Sequence, residues 1–152
     1  MYSDPNFVRL AANAMRWVTK ETNERRYRFD LFLSFSSRNR DQGRLIVAAA
    51  ERLGLTIYQD EKNIQSGAIW AEEIRAALVE SREMALLASP DAMRSEWVQT
   101  EWGAAWVLRR TITPILHQMP AEDLPERLRQ RQVIDFYRYE EYLQEVRERG
   151  RG

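Results

Sequence analysis

The sequence predicts an α/β fold: a flavodoxin-like three-layer sandwich whose parallel sheet carries helices on both faces. Two observations predict it. Short apolar runs alternate in strict order with longer stretches whose apolar residues recur at three- and four-residue spacing, the pattern of strands joined by crossover helices. The first short run, Phe29-Asp30-Leu31-Phe32-Leu33-Ser34-Phe35, is almost unbroken in large apolar side chains, which suits a central parallel strand buried on both faces. Right-handed crossovers through five such strands suggest the order 2-1-3-4-5, in which ligands bind beyond the carboxyl ends of the strands at the switch point.

An amphipathic helix precedes the domain. Phe7, Leu10, Ala11, Ala14, Met15 and Val18 recur at helical spacing after Asp4-Pro5, and charged residues crowd the chain from Lys20 to Arg28. Residues 1–26 therefore read as an N-terminal helical extension and residues 27–152 as the domain proper. After the first strand, Ser36 to Arg40 form a polar loop. Asp41 is placed to cap a helix carrying Leu45, Ala48, Ala49 and Leu53, closed by Gly54. Leu55 to Tyr58 make the second strand and Gln59 to Gly67 a polar loop. Ile69 to Glu80 follow as a helix with Trp70, Ile74, Ala77 and Leu78 on one stripe. The third strand is Met84 to Ala88, stopped by Ser89-Pro90. A helix opens at Ser95 and runs to Leu108. Thr111 to Leu116 is the fourth strand; its Pro114 lacks an N–H and favours a place near a sheet edge or a strand end. Pro120 and Pro125 bracket a loop or a single helical turn. Gln132 to Phe136 is a short edge strand, and Tyr139 to Arg149 a last amphipathic helix, with Gly150-Arg151-Gly152 a frayed tail.

Composition narrows the function. The 152 residues suit one domain, and the 44% hydrophobic and 30% charged fractions are those of a soluble globular chain. With 23 basic and 23 acidic residues the net charge is zero, which argues against nucleic-acid binding by bulk electrostatics. The absence of cysteine excludes disulfides and thiolate metal sites and fits a cytoplasmic location. No apolar run reaches the roughly 18 residues of a membrane span, and no signal peptide is visible. His117 is the only histidine, so a Ser-His-Asp triad would have to be built around that one residue, and a multi-histidine metal site lacks its ligands.

Three loops gather at the carboxyl ends of the strands: Ser34–Arg40, Asp60–Gly67 and Ser89-Pro90, with the helix from Ser95 starting beside them. The first loop has no glycine, so it is not a dinucleotide-binding turn. A phosphate-cradling Gly-x-x-x-x-Gly-Lys-Ser/Thr is absent, and no aspartate ends the third strand as a phosphoacceptor would. What remains is Ser95-Glu96-Trp97-Val98-Gln99-Thr100-Glu101-Trp102. Trp97 and Glu101, four apart, share a helix face. An indole plate beside a carboxylate suits a base or ribose, but the same pattern suits a helix that buries its tryptophans and leaves Glu101 as a solvated flank.

The ordered motifs carry a resemblance. Phe29 to Ser37 resembles the opening box of Toll/interleukin-1 receptor (TIR) domains. Tyr58-Gln59-Asp60-Glu61 with Ile64 and Ser66-Gly67 is similar to the family's loop after strand two, and Trp70 follows at a spacing seen in bacterial members. Ser81-Arg82, Leu86-Leu87-Ala88-Ser89-Pro90 and Ser95 to Glu101 match later boxes in order, so that the resemblance covers about Tyr27 to Phe136. It implies that Glu101, four residues after Trp97, is the essential glutamate of the NAD+-cleaving members. Cleavage of the nicotinamide–ribose bond develops an oxocarbenium-like sugar that an adjacent carboxylate stabilises. Nicotinamide leaves neutral, so no general acid is required. The resemblance further implies that Phe35, Ser36, Ser37 and Arg38 line the pocket mouth, and that Asp60, Gly67 and Trp70 bound it with Trp97. On the residues alone, Arg38 also reads as a solvated loop charge, Asp60 as a turn residue and Trp70 as a core plug. Two features depart from the family pattern: Ser66 stands where scaffolding members have proline, and Ser36-Ser37 where some NAD+-cleaving members have a basic pair.

The expectation is an NAD+ glycohydrolase or cyclase with NAD+ as substrate and no other cofactor, of the type that serves as a bacterial antiphage effector activated by assembly. The alternative is a non-catalytic scaffold acting through TIR–TIR association, and a third reading is a nucleoside or nucleotide N-glycosidase of related fold. Each assembly model calls for self-association and for a separate sensor or effector protein, with no direct nucleic-acid or membrane partner.

Overall fold

The computed structural model describes residues 27–59 and 67–151, with the side chains of 67–70 excepted. The predicted helix within residues 1–26 and the loop residue Asp60 lie outside the described residues. Five strands form one parallel sheet: β1 (Phe29–Ser34), β2 (Ile57–Gln59), β3 (Ser81–Ala88), β4 (Thr111–Leu116) and β5 (Ile134–Asp135), in the order β2-β1-β3-β4-β5. The predicted topology is the observed one. The connecting helices are α1 (Arg40–Arg52), α2 (Gly67–Val79), α3 (Pro90–Arg94), α4 (Glu96–Val107), the short α5 (Glu126–Arg129) and α6 (Tyr139–Arg151).

Alternation along β1 creates both hydrophobic layers. Leu31, Leu33 and Phe35 join Ile46, Ala50, Leu87, Leu143 and Val146 in the layer beneath α1 and α6. Phe32 points to the opposite face and joins Ile74, Leu78, Met84, Leu86 and Val98, beneath α2 and α4. Each fully buried large apolar side chain contributes roughly 1.5–3 kcal/mol, so β1 is the strand the core is built around. By the same alternation Ser34 shares the face of Phe32, and in the β1–β3 register it stands opposite Leu86.

Four boundaries differ from the sequence reading. The cap of α1 is Asn39, not Asp41, which falls inside the first turn. β3 begins three positions earlier than expected, at Ser81, because the polar run Ser81-Arg82-Glu83 is paired strand and its charge is neutralised from α6. Glu83 is buried; its Oε1 accepts from Arg149 Nη2 at 2.8 Å and Tyr142 Oη at 3.2 Å, and its Oε2 from Arg149 Nε at 3.2 Å. Burial, and next the Glu83 carboxylate, push the Tyr142 phenol well above the usual range. This grip also explains why α6 continues through Arg151 where a frayed tail was expected. β2 is displaced to Ile57–Gln59 because Thr56 is used as a staple, its N and Oγ1 both donating to Asp30 Oδ2. Gly54 closes α1 with φ +76°, as its position predicted. Pro114 pairs toward β3 but lies just outside the short β5 ladder, which engages only Ile115 and Leu116.

Candidate active site

The switch point falls between β1 and β3, and the buried polar side chains of Ser34, Asn39, Ser89 and Glu101 gather there. β1 ends at Ser34, whose side chain is fully buried on the α4 face. Across from it, α4 delivers Glu101, and the Ser34 hydroxyl donates to Glu101 Oε1 at 2.8 Å. Glu101 is only 1% exposed, so the carboxylate belongs to the interior and not to a solvated helix flank. A buried carboxylate is retained against its desolvation cost only where surrounding groups hold it, and Ser34 is one such group.

The angle of α4 is set by its own start. Ser95 caps the helix, its Oγ accepting from Val98 N at 3.2 Å. Gln99 reaches back to the carbonyls of Ala92 and Met93 at 3.3 and 3.2 Å, tying α4 to α3, and its Oε1 accepts from Trp102 Nε1. Val98 is buried in the core beneath the helix, and Trp97 and Trp102 are half-buried along the same layer. Trp97, one turn before Glu101, thus has part of its indole in the core and part at the surface.

The first loop is fastened to the third. A 3₁₀ turn at Ser37–Asn39 follows Ser36, whose Oγ accepts from Arg38 N. Asn39 is buried, and its Oδ1 accepts from Ser89 Oγ at 2.6 Å; Ser89 Oγ in turn caps α3 by accepting from Ala92 N at 3.0 Å. The crevice edge is therefore closed by side-chain bonds between the ends of β1 and β3.

Among the expected site residues, Glu101 and Trp97 lie together on α4, while Ser36 is buried at the end of β1 and Ser37 and Arg38 are exposed on the 3₁₀ turn. Phe35 is 3% exposed, with its ring turned into the α1 layer and away from Glu101; a Cβ at Gly43 would meet it at 3.0 Å, so α1 approaches the ring only because residue 43 is glycine. Gly67 begins α2 and Trp70 lies in its first turn; the side chain of Trp70, like Asp60, is outside the described residues. Ser34, Asn39 and Ser89 were not singled out from sequence. The signal for Ser34 was available: one hydroxyl in a run of buried apolar residues needs a polar partner. His117 takes no part in this group; its ring meets Phe136 edge-on at 5.3 Å beyond β4. Among the described residues no cluster of acidic or histidine side chains is arranged to hold a metal ion, and no helix is long and apolar enough to cross a membrane.

A family model described as TIR domain matches residues 31–148 of the chain. Solved structures share the fold. The TIR domain of the Toll-related receptor TRR-2 from Hydra magnipapillata superposes with a TM-score of 0.64 at 20% identity, over 78% of this chain and 98% of that one. A metazoan TIR-STING receptor from C. gigas, solved in complex with 2',3'-cGAMP, gives 0.66 at 22% identity, over 79% of this chain and 40% of that one. The TIR domains of the activated Roq1 resistosome, which directly recognizes the pathogen effector XopQ, give 0.50 at 20% identity, over 79% of this chain and 84% of that one.

Proposed function

The chain belongs to the TIR domain family, and from that premise we propose that it is an NAD+ nucleosidase whose key carboxylate is Glu101. The observation that carries the reading is the buried Ser34–Glu101 bond at the switch point of the sheet. A carboxylate fixed by a hydroxyl and shielded from water acts strongly on a charge that develops beside it. In the reaction the bond between ribose C1' and the nicotinamide nitrogen breaks, and its electron pair stays with nicotinamide, which leaves neutral. Glu101 stabilises the oxocarbenium-like ribose and accepts from its hydroxyls. Water then attacks C1' and releases a proton, giving ADP-ribose; attack by an adenine nitrogen gives a cyclic isomer instead. Ser34 is a positioning residue, Trp97 borders the sugar or base, and Ser36, Ser37 and Arg38 form the mouth, with Phe35 bracing it from the core. Asp60, with Gly67 and Trp70 at the start of α2, is assigned to NAD+ binding on the family resemblance.

Glu101 is 1% exposed, so this reading requires the crevice to open before NAD+ reaches the carboxylate. Self-association of the domain supplies that opening, as an immune effector triggered by a sensor protein would need. The same burial favours a second reading, a non-catalytic scaffold in which Glu101 is a core residue and TIR–TIR contact is the whole output. Chromatography of NAD+ with wild type and Glu101→Ala, dilute and under crowding, separates the two. The expected result is nicotinamide release by wild type that rises more than in proportion to concentration, with a loss of roughly 10²–10³-fold in the variant. Intact NAD+ in every sample would establish the scaffold.

A further inference from the structure

At the end of the sheet opposite the crevice, the last turn of α4, the start of β4 and the helix α5 line a half-open cavity of about 510 Å³. Four arginines line it, Arg109, Arg110, Arg127 and Arg131, together with Trp106 and no carboxylate. The chain has equal numbers of basic and acidic residues, and six of its other arginines are paired with carboxylates. None of these four is in an ion pair among the described residues.

Contacts hold three of them in place without neutralising them. Arg110 donates through Nη2 to the Val79 carbonyl at 2.8 Å, while its Nε is buried and without an acceptor. Burial lowers Arg110 from the ordinary arginine value, opposed by Tyr27, over whose ring the guanidinium lies at 5.0 Å. Arg131 donates to Thr111 Oγ1 at 3.3 Å. Arg127 stacks over the Trp106 indole at 4.7 Å, and that indole remains 47% exposed. Arg109 sits in the left-handed region at φ 59°, at the turn that ends α4, and its side chain is exposed.

Like charges gathered round one concavity repel, and an anion placed among them removes that repulsion. Guanidinium forks match phosphate oxygens in pairs, and an exposed indole offers a face to a planar ring. A volume of this size lies in the range of small-molecule sites, about 300–1,000 Å³. We infer that this cavity is a binding site for a nucleoside polyphosphate, with the arginines on the phosphates and Trp106 against the base. Guanidinium groups beside an aromatic face fit a ligand that carries both phosphates and a planar base, whereas an acidic protein segment offers carboxylates alone. The site is separate from the Ser34–Glu101 crevice, and the inference stands or falls independently of NAD+ cleavage.

Calorimetric titration of the full chain with ADP tests it, beside Arg109→Ala, Trp106→Ala and Glu101→Ala, each checked by thermal melting. Arg109 and Trp106 are both exposed, so either variant serves if the other melts early. Saturable binding of ADP is expected, weakened at least tenfold in Arg109→Ala and Trp106→Ala and unchanged in Glu101→Ala. Inorganic pyrophosphate should compete, and adenosine should bind at least tenfold more weakly than ADP. No saturable binding at millimolar ADP would overturn the inference. Binding lost in Glu101→Ala but kept in Arg109→Ala would overturn it too, by placing the nucleotide in the crevice. So would tighter binding of a hexaglutamate peptide than of ADP, which would make this an acidic-chain surface.

Discussion

At the residue scale one bond joins segments 67 residues apart at the switch point, Ser34 to Glu101. Glu101 was legible from sequence only because the motif around it resembles a family box; its own neighbourhood reads equally well as a helix flank. Ser34 was legible in principle, as a hydroxyl inside an apolar strand, but nothing local says which helix supplies its partner. That depends on where a crossover sets α4 down. Asn39 and Ser89 escaped for the same reason, since each looks like a local cap and their shared bond links two loops. The bond predicts the behaviour of Ser34→Ala. Removing a donor to a buried carboxylate is expected to cost about 1–3 kcal/mol in denaturant unfolding. The carboxylate loses one of the groups that fix its position, so NAD+ cleavage should fall roughly ten- to a hundredfold, in kcat more than in KM. A variant that loses stability but keeps full turnover would show that Ser34 is structural only.

At the element scale, apolar periodicity located every strand and the longer helices, and it failed where charge is buried. Ser81-Arg82-Glu83 looks like a loop by sequence yet opens β3, and the arginine- and glycine-rich tail looks frayed yet continues α6. The two misreadings have one cause: Arg149 on α6 neutralises Glu83 on β3, and Tyr142 completes the cluster. Removing one member of such a group is worse than never having built it. The phenol adds a pH signature. Its folded pKa is raised, so Tyr142 contributes nothing pH-dependent below the unfolded value of about 10. Above that value the unfolded chain releases a proton that the folded chain retains. Stability is therefore lost as pH rises from about 10 toward the folded pKa. Tyr142→Phe should flatten the alkaline fall of the unfolding free energy by up to one proton's slope. An unchanged slope would mean that the phenol ionises equally in both states.

At the scale of the whole molecule, the sheet order and its two covered faces were readable from alternation alone, because parallel strands with right-handed crossovers admit few arrangements. The zero net charge hid more than it told. It averages over ion pairs that close α6 onto the sheet and over an arginine-lined cavity with no acid in it. Sequence proximity separates neither group, since their members come from different elements. The fold also sets the problem that function must solve, because the carboxylate at the switch point is shut inside the chain. Whether that carboxylate acts by its charge is the central claim, and Glu101→Gln tests it most directly. Glutamine keeps the volume and still accepts from the Ser34 hydroxyl, but removes the negative charge. The melting temperature should stay within about 4 °C of wild type, the shift that 1 kcal/mol produces in a chain of this size. Nicotinamide release under crowding should nevertheless fall by at least roughly a hundredfold. A glutamine variant that melts like wild type and releases nicotinamide at the wild-type rate would contradict the account.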